Sequence, residues 1–151
     1  MITKPARTSK PNATPVRVLV VDDEAGARES AAAVLSDTCF VETCPHAGAA
    51  LALLERESFE VLVVDYEMPM MSGTELLRRL AIRHPTIVGI LVTGHADLPE
   101  VRRARRDREV FLVLLKPYDP AELIRWVGMA GRTARLRRAN ETLGRQLGKA
   151  Q

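Results

Sequence analysis

The chain contains only two cysteines, Cys39 and Cys44, on either side of a short strand-like segment. It has no CxxC pair and no Cys/His spacing of the metal-finger kind, which argues against a structural zinc site. Two isolated thiols read as buried or half-buried groups in a reducing, cytoplasmic setting. Long apolar runs are also missing. The longest are strand-sized, far below the roughly 20 residues of a membrane span, so no membrane partner is expected. The opening MITKPARTSKPNATP lacks the apolar core of a secretory leader. With three prolines and three positive charges it reads as a disordered basic arm, assigned to 1–14. The first apolar run leads into DDEAGARES, with no GxGxxG to let backbone approach a pyrophosphate, so dinucleotide binding is disfavoured. No helix-turn-helix and no second hydrophobic core follow the main body, and no dedicated DNA-binding module is expected.

What is present fits one domain with a tail. The 151 residues are 46% hydrophobic and 27% charged, as in an ordinary globular protein. The net charge of +3 conceals a gradient: an acidic body over 15–100 is followed by two basic stretches, 101–120 and 121–151. An acidic body with a basic end implies separate surfaces for separate partners.

Val16–Val21 (VRVLVV) is a nearly continuous apolar run of the sort that forms a strand buried on both faces. Further strand candidates are Phe40–Thr43, Val61–Val64, Ile87–Val92 and Val110–Leu115. Helical patterns lie between them, over Ala25–Leu35, Ala47–Arg56, Gly73–Arg83 and Leu98–Arg108, and a last one begins near Pro120 with Asp119 as its cap. Strands alternating with helices imply right-handed βαβ units and an α/β fold around one parallel sheet. In open sheets of this type the active site lies at the carboxyl ends of the strands. The residues there are Asp22 and Asp23, Asp65, Thr93 and Lys116.

Three carboxylates at one edge raise one another's pKa unless a cation sits among them. Hard oxygen ligands with open positions suit Mg²⁺. Lys116 adds a fixed ammonium and Thr93 a hydroxyl. A carboxylate nucleophile, Mg²⁺, an amine and a hydroxyl together make a phosphoryl-transfer site with Asp65 as the attacking group. Taken singly, each residue reads as easily as a cap or turn residue; the joint placement at the ends of four strands is what carries the inference.

VLVVDDE, VLVVDYEMPMMSG, ILVTGHAD and LLKPYDP resemble, in order and spacing, the four signature segments of response-regulator receiver domains, over about Val16 to Trp126. The resemblance implies a flavodoxin-like, doubly wound five-stranded sheet of order 2-1-3-4-5, with a receiver body over 15–127. It implies that Asp65 is the phosphoacceptor and that Asp22, Asp23, Asp65 and the backbone carbonyl of Glu67 hold Mg²⁺. It implies that Thr93 and Lys116 contact the phosphoryl group and that the Lys116–Pro117 peptide is cis. The implied donor is a phosphohistidine on a sensor histidine kinase or phosphotransfer protein. The implied output is a change of protein partner at the face of helix 4, strand 5 and helix 5, without independent enzymatic turnover.

Two features depart from the family pattern. Where such receivers carry an aromatic ring that swings inward, this chain has Val113, a stiff β-branched side chain; Phe111 could substitute only in another strand register. The fourth helix, LPEVRRARRDR, bears Arg102, Arg103, Arg105, Arg106 and Arg108 over a narrow stripe of Leu98, Val101 and Ala104. Those arginines read either as a basic docking face for an acidic partner or as solvated side chains covering apolar surface. Glu67 and His95, each two residues past a site residue, are placed to tune loss of the phosphoryl group. His46 and His84 read as loop or helix-edge residues.

Beyond 127, Met129, Thr133, Leu136, Asn140, Leu143 and Leu147 follow a four-three spacing with Asn at an inner position, as in a coiled coil. Gly128, Gly131, Gly144 and Gly148 weaken such a helix, so 128–151 reads as a homodimer zipper, a basic helical extension or a linker. Two other functions remain open on the sequence: an interaction module that has lost phosphorylation, and a haloacid-dehalogenase-like phosphatase. The second is disfavoured because its nucleophile and a second Asp follow the first strand.

Overall fold

Short apolar runs, closed by acids or turns, form five strands close to their expected positions. In the computed structural model, which describes residues 14–149, these are β1 (Val16–Val21), β2 (Cys39–Cys44), β3 (Val61–Asp65), β4 (Val88–Thr93) and β5 (Leu112–Leu115). Helices α1 (Ala25–Leu35), α2 (Ala47–Leu54), α3 (Gly73–Arg83), α4 (Pro99–Arg106) and α5 (Pro120–Lys149) alternate with them. Every pairing is parallel and the order is β2-β1-β3-β4-β5. This is the flavodoxin-like order 2-1-3-4-5 implied above. The basic arm lies outside the described residues except for Thr14, whose carbonyl accepts a hydrogen bond from Arg135. Among the described residues no helix is long and apolar enough to cross a membrane.

Alternation along the strands divides the core in two. Leu19, Val21, Leu62, Val64 and Leu91 pack with α2, α3 and α4 on one side of the sheet. Val18, Val20, Val61, Val63, Ile90, Val92 and Leu114 pack with α1 and α5 on the other. β3 and β4 are buried along their whole length, which is why they read as unbroken apolar runs. Each fully buried Val or Leu contributes about 1.5–3 kcal/mol relative to exposure.

Helix ends follow local chemistry. The Ser72 hydroxyl accepts from the Glu75 N–H at the start of α3, and Asp119 accepts from the Ala121 N–H at the start of α5. His46 caps α2, its Nδ1 accepting from the Ala49 N–H, and His84 closes α3. α4 is shorter than expected: it ends at Arg106, and Arg108 adopts φ 58°. The chain then re-enters the sheet two residues late. Val110 is buried but outside the ladder, and the Phe111 N–H donates to the Gly89 carbonyl just before β5 begins.

The packing of α5 carries past the expected boundary at 127. Val127, Ala130, Gly131 and Ala134 are all buried in it. At Gly131 the helix backbone lies so close to Val16 that a Cβ would sit 2.6 Å from a valine methyl. One turn on, Arg135 Nε donates to Oε2 of the buried Glu60 at 2.6 Å and fastens the helix to the strand bottoms.

Candidate functional site

The register of the sheet brings the acidic strand ends level. Val21 is paired with Val64, so Asp22 and Asp65 leave adjacent strands side by side. Asp65 is paired with Val92, and Thr93 with Leu115, so Thr93 and Lys116 follow one step along on β4 and after β5. The Lys116 N–H donates to the Thr93 carbonyl at 2.9 Å, and the Lys116–Pro117 peptide is cis.

Four of the five residues named from the sequence converge here, and Thr93 closes the neighbouring strand β4. Lys116 Nζ lies 2.8 Å from Asp65 Oδ1 and 4.0 Å from Asp22 Oδ2. Asp22, Asp23 and Asp65 each offer a carboxylate oxygen, and these oxygens all lie within 4.8 Å of one another. Asp22, Asp65 and Thr93 are buried, whereas Asp23 is exposed. Asp22 is held twice: its Oδ1 accepts from the Glu24 N–H, and its carbonyl accepts from the Arg28 guanidinium at 2.8 Å. Thr93 Oγ1 accepts from the His95 N–H at 3.0 Å.

The electrostatics describe an anionic pocket short of positive charge. Burial pushes the Asp22 carboxyl above its ordinary value, and the Asp65 and Asp23 charges add to that against the opposing pull of the Glu24 N–H and Lys116. Asp65 is likewise raised, first by burial, although its bond to Lys116 opposes the rise. Burial alone would lower the Lys116 amine, but its contact with Asp65 and the charge of Asp22 outweigh that and raise it. Three convergent hard oxygens with a single ammonium among them fit a small divalent cation.

Over these groups lies an open cleft of ≈ 610 Å³, lined among others by Asp23, Asp65, Glu67, Ser72 and Lys116. Glu67 therefore sits at the mouth of the pocket. His95 is exposed and does not line the cleft. Gly73, at the start of α3, is required by proximity, since a Cβ there would meet the Asp65 carbonyl and come within 2.9 Å of Leu91.

Response regulator receiver domains, as a family, match residues 18–127 of the chain. The chain belongs to that family. It is 34% identical over 113 residues to the hydrogenase transcriptional regulatory protein HoxA of Cupriavidus necator, covering 75% of this chain and 23% of HoxA. To the transcriptional regulatory protein FixJ of Rhizobium meliloti it is 38% identical over 112 residues, covering 74% and 54%. The chain thus spans about a quarter to a half of these two relatives. The CheY-like response regulator receiver domain protein of Methanospirillum hungatei superposes with a TM-score of 0.76 at 28% identity, over 82% of this receiver and 99% of that chain. Receiver domains generally bind magnesium and pair with histidine kinases.

The face expected from the resemblance to meet a partner lies around α4 and β5. Val113 is half-buried on the side of the sheet that carries α4, and Phe111 sits at the opposite end of β4 from the acids, so it cannot take the missing ring's place. Arg102, Arg105 and Arg106 are exposed. Arg106 lies 3.9 Å from Asp107, and Arg103 is only partly exposed and bonds Glu109 at 3.1 Å and Asp107 at 3.2 Å. One contact escaped sequence reading. The hydroxyl of Tyr66, the residue after Asp65, donates to Glu100 Oε2 in the first turn of α4 at 2.7 Å. Only the adjacency of Tyr66 to Asp65 could have hinted at it, because its partner lies 34 residues away.

Proposed function

We propose that this receiver is a phosphoacceptor switch in a two-component phosphorelay, modified on Asp65. The observation that carries the reading is the cluster itself: three carboxylates within 4.8 Å of one another and an ammonium 2.8 Å from the central one. An Asp65 carboxylate oxygen attacks the phosphorus of a phosphohistidine in line. The P–N bond breaks and the donor imidazole leaves with the electron pair, so that the phosphoryl group is carried as an acyl phosphate. Asp22, Asp23, Asp65 and the Glu67 carbonyl would hold the magnesium ion, which when bound neutralises charge on the transferring oxygens. Lys116 exchanges its contact with the Asp65 carboxylate for one with a phosphoryl oxygen. Thr93 offers its hydroxyl to another. Glu67, at the mouth of the cleft, bears on how readily water reaches the acyl phosphate, and His95 acts from outside it. No independent turnover is expected, because the product stays on the nucleophile.

The signal leaves through α4 and its neighbours. Exposed Arg102, Arg105 and Arg106 fit an acidic downstream protein, with Arg103 bracing the helix end. The Tyr66–Glu100 bond links the phosphoacceptor loop directly to α4, and it supports coupling without a mobile ring at Val113. A cytoplasmic setting and a kinase or phosphotransfer partner belong to the same reading.

Beryllofluoride, which mimics the acyl phosphate, tests this with Mg²⁺ present. Thermal unfolding of the wild type should shift upward, and Asp65→Asn should abolish the shift. No shift in the wild type, or an equal shift in Asp65→Asn, refutes the assignment and favours a phosphorylation-independent interaction module. Steady hydrolysis of a phosphomonoester would instead favour a phosphatase.

A further inference from the structure

α5 leaves the domain with an apolar stripe in solvent. Its last buried residue is Ala134, and every residue from Leu136 to Lys149 is exposed. At about 1.5 Å per residue this projects roughly 20 Å of helix. Leu136, Leu143 and Leu147 are 65%, 55% and 69% exposed. At 3.6 residues per turn, Leu136, Asn140, Leu143 and Leu147 fall on one narrow strip. A solvated helix of this length is marginal, and Gly144 and Gly148, each with open space around it, weaken it by about 1 kcal/mol apiece relative to Ala. Such a segment holds its form best when its apolar side is covered.

The flanks identify the cover. Beside the strip lie Ala139, Gly144 and Gln146, small or uncharged. Arg138, Arg145, Glu141 and Lys149 turn to the opposite side, so an acidic partner would meet its complementary charge away from the leucines. Arg137 lies at the border but points home, donating to the Ile87 carbonyl. Asn140 narrows the choice further. Its amide both donates and accepts, and an aliphatic partner would leave both groups unpaired, whereas a second Asn140 satisfies them. That meeting requires parallel, in-register helices, because an antiparallel pairing centred on the strip sets Asn140 against Leu143. Nearer the domain Arg132 flanks the strip, so close approach begins at Leu136.

We propose that Leu136, Asn140, Leu143 and Leu147 form a parallel two-stranded coiled-coil seam with a second copy of this chain. The seam is shorter than three heptads and falls below the usual size of a stable interface, about 1,200–2,000 Å². Pairing is therefore weak and concentration-dependent. It needs no phosphoryl group, so its test is independent of the role of Asp65.

Sedimentation equilibrium without phosphodonor or beryllofluoride, from about 10 µM to about 1 mM protein, reads the pairing directly. The wild-type average mass should climb toward twice that of the monomer, and Leu143→Glu, at an exposed position, should remain monomeric throughout. In a Cys39→Ser background, Leu143→Cys should cross-link copies under mild oxidation. A wild type that stays monomeric, a dimer indifferent to Leu143→Glu, or a dimer in which Leu143→Cys does not cross-link overturns the proposal.

Discussion

Replacing Asp22 with Asn removes one buried negative charge while preserving shape, and the amide oxygen can still accept from the Glu24 N–H. Without a divalent cation, Asp22→Asn is predicted to stabilise the fold. At an effective dielectric constant of about 20, charges no more than 4.8 Å apart repel by at least about 3.5 kcal/mol. Lys116 at 4.0 Å returns about 4 kcal/mol on the same scale, so Asp65 and Lys116 nearly cancel at Asp22. What remains is the desolvation of Asp22 and the screened charge of Asp23, together about 1–2 kcal/mol. The pH dependence follows from the raised Asp22 carboxyl. The folded state holds its proton to higher pH than the unfolded state, so the stability that protonated Asp22 restores is complete below the ordinary carboxylate value and is lost as pH rises through the folded value. The advantage of Asn is therefore full at neutral pH and shrinks on acidification. Magnesium reverses the ranking, because a ligand at 100 times its Kd stabilises by about 2.7 kcal/mol and Asp22→Asn loses part of the site. Urea unfolding at pH 7, in chelator and then in excess Mg²⁺, measures all of this. The reasoning fails if Asp22→Asn unfolds at lower urea than wild type in chelator, or if Mg²⁺ raises both midpoints equally.

Three other substitutions probe the frame around the pocket. Gly73→Ala sets a methyl against the Asp65 carbonyl, where backbone cannot yield easily; a loss of about 1–3 kcal/mol, seen in thermal unfolding, should accompany slower phosphorylation. Arg135→Met leaves the buried Glu60 carboxylate with only the Arg17 N–H, and denaturant melts should show a loss of about 2 kcal/mol, reduced by the partial exposure of the arginine. Glu60→Leu combined with Arg135→Met should recover most of it. Tyr66→Phe should alter overall stability by less than about 1 kcal/mol. It should nevertheless speed amide exchange in the first turn of α4 and blunt the change that beryllofluoride produces there; equal exchange in both proteins would dismiss Tyr66 as a link between loop and helix.

Much of the fold was legible because β1, β3 and β4 are buried on both sides and so must be apolar at nearly every position. Acids at the carboxyl ends of two of those strands marked the pocket, since Asp22 and Asp65 are the points at which apolar burial gives way to chemistry. The start of β5 was less legible. Val110 is apolar and buried, but the left-handed turn at Arg108 holds its backbone out of the ladder, and hydropathy alone does not register that. Gly128 and Gly131 read as weaknesses in a helical extension. In the fold, Gly131 is where α5 closes on Val16, so the missing side chain is what lets the helix pack seven residues beyond the expected boundary. The Tyr66–Glu100 and Arg135–Glu60 contacts join residues 34 and 75 positions apart. Pairings of that kind depend on tertiary geometry and leave no periodic trace.

The most direct test of the account is to locate the phosphoryl group chemically. After incubation with acetyl phosphate and Mg²⁺, the intact chain should gain the mass of a single phosphoryl group. Borohydride reduction of the acyl phosphate should place the modification on Asp65, and omission of Mg²⁺ should suppress it strongly. A gain in mass at any other residue, or an unmodified chain under these conditions, would contradict the account.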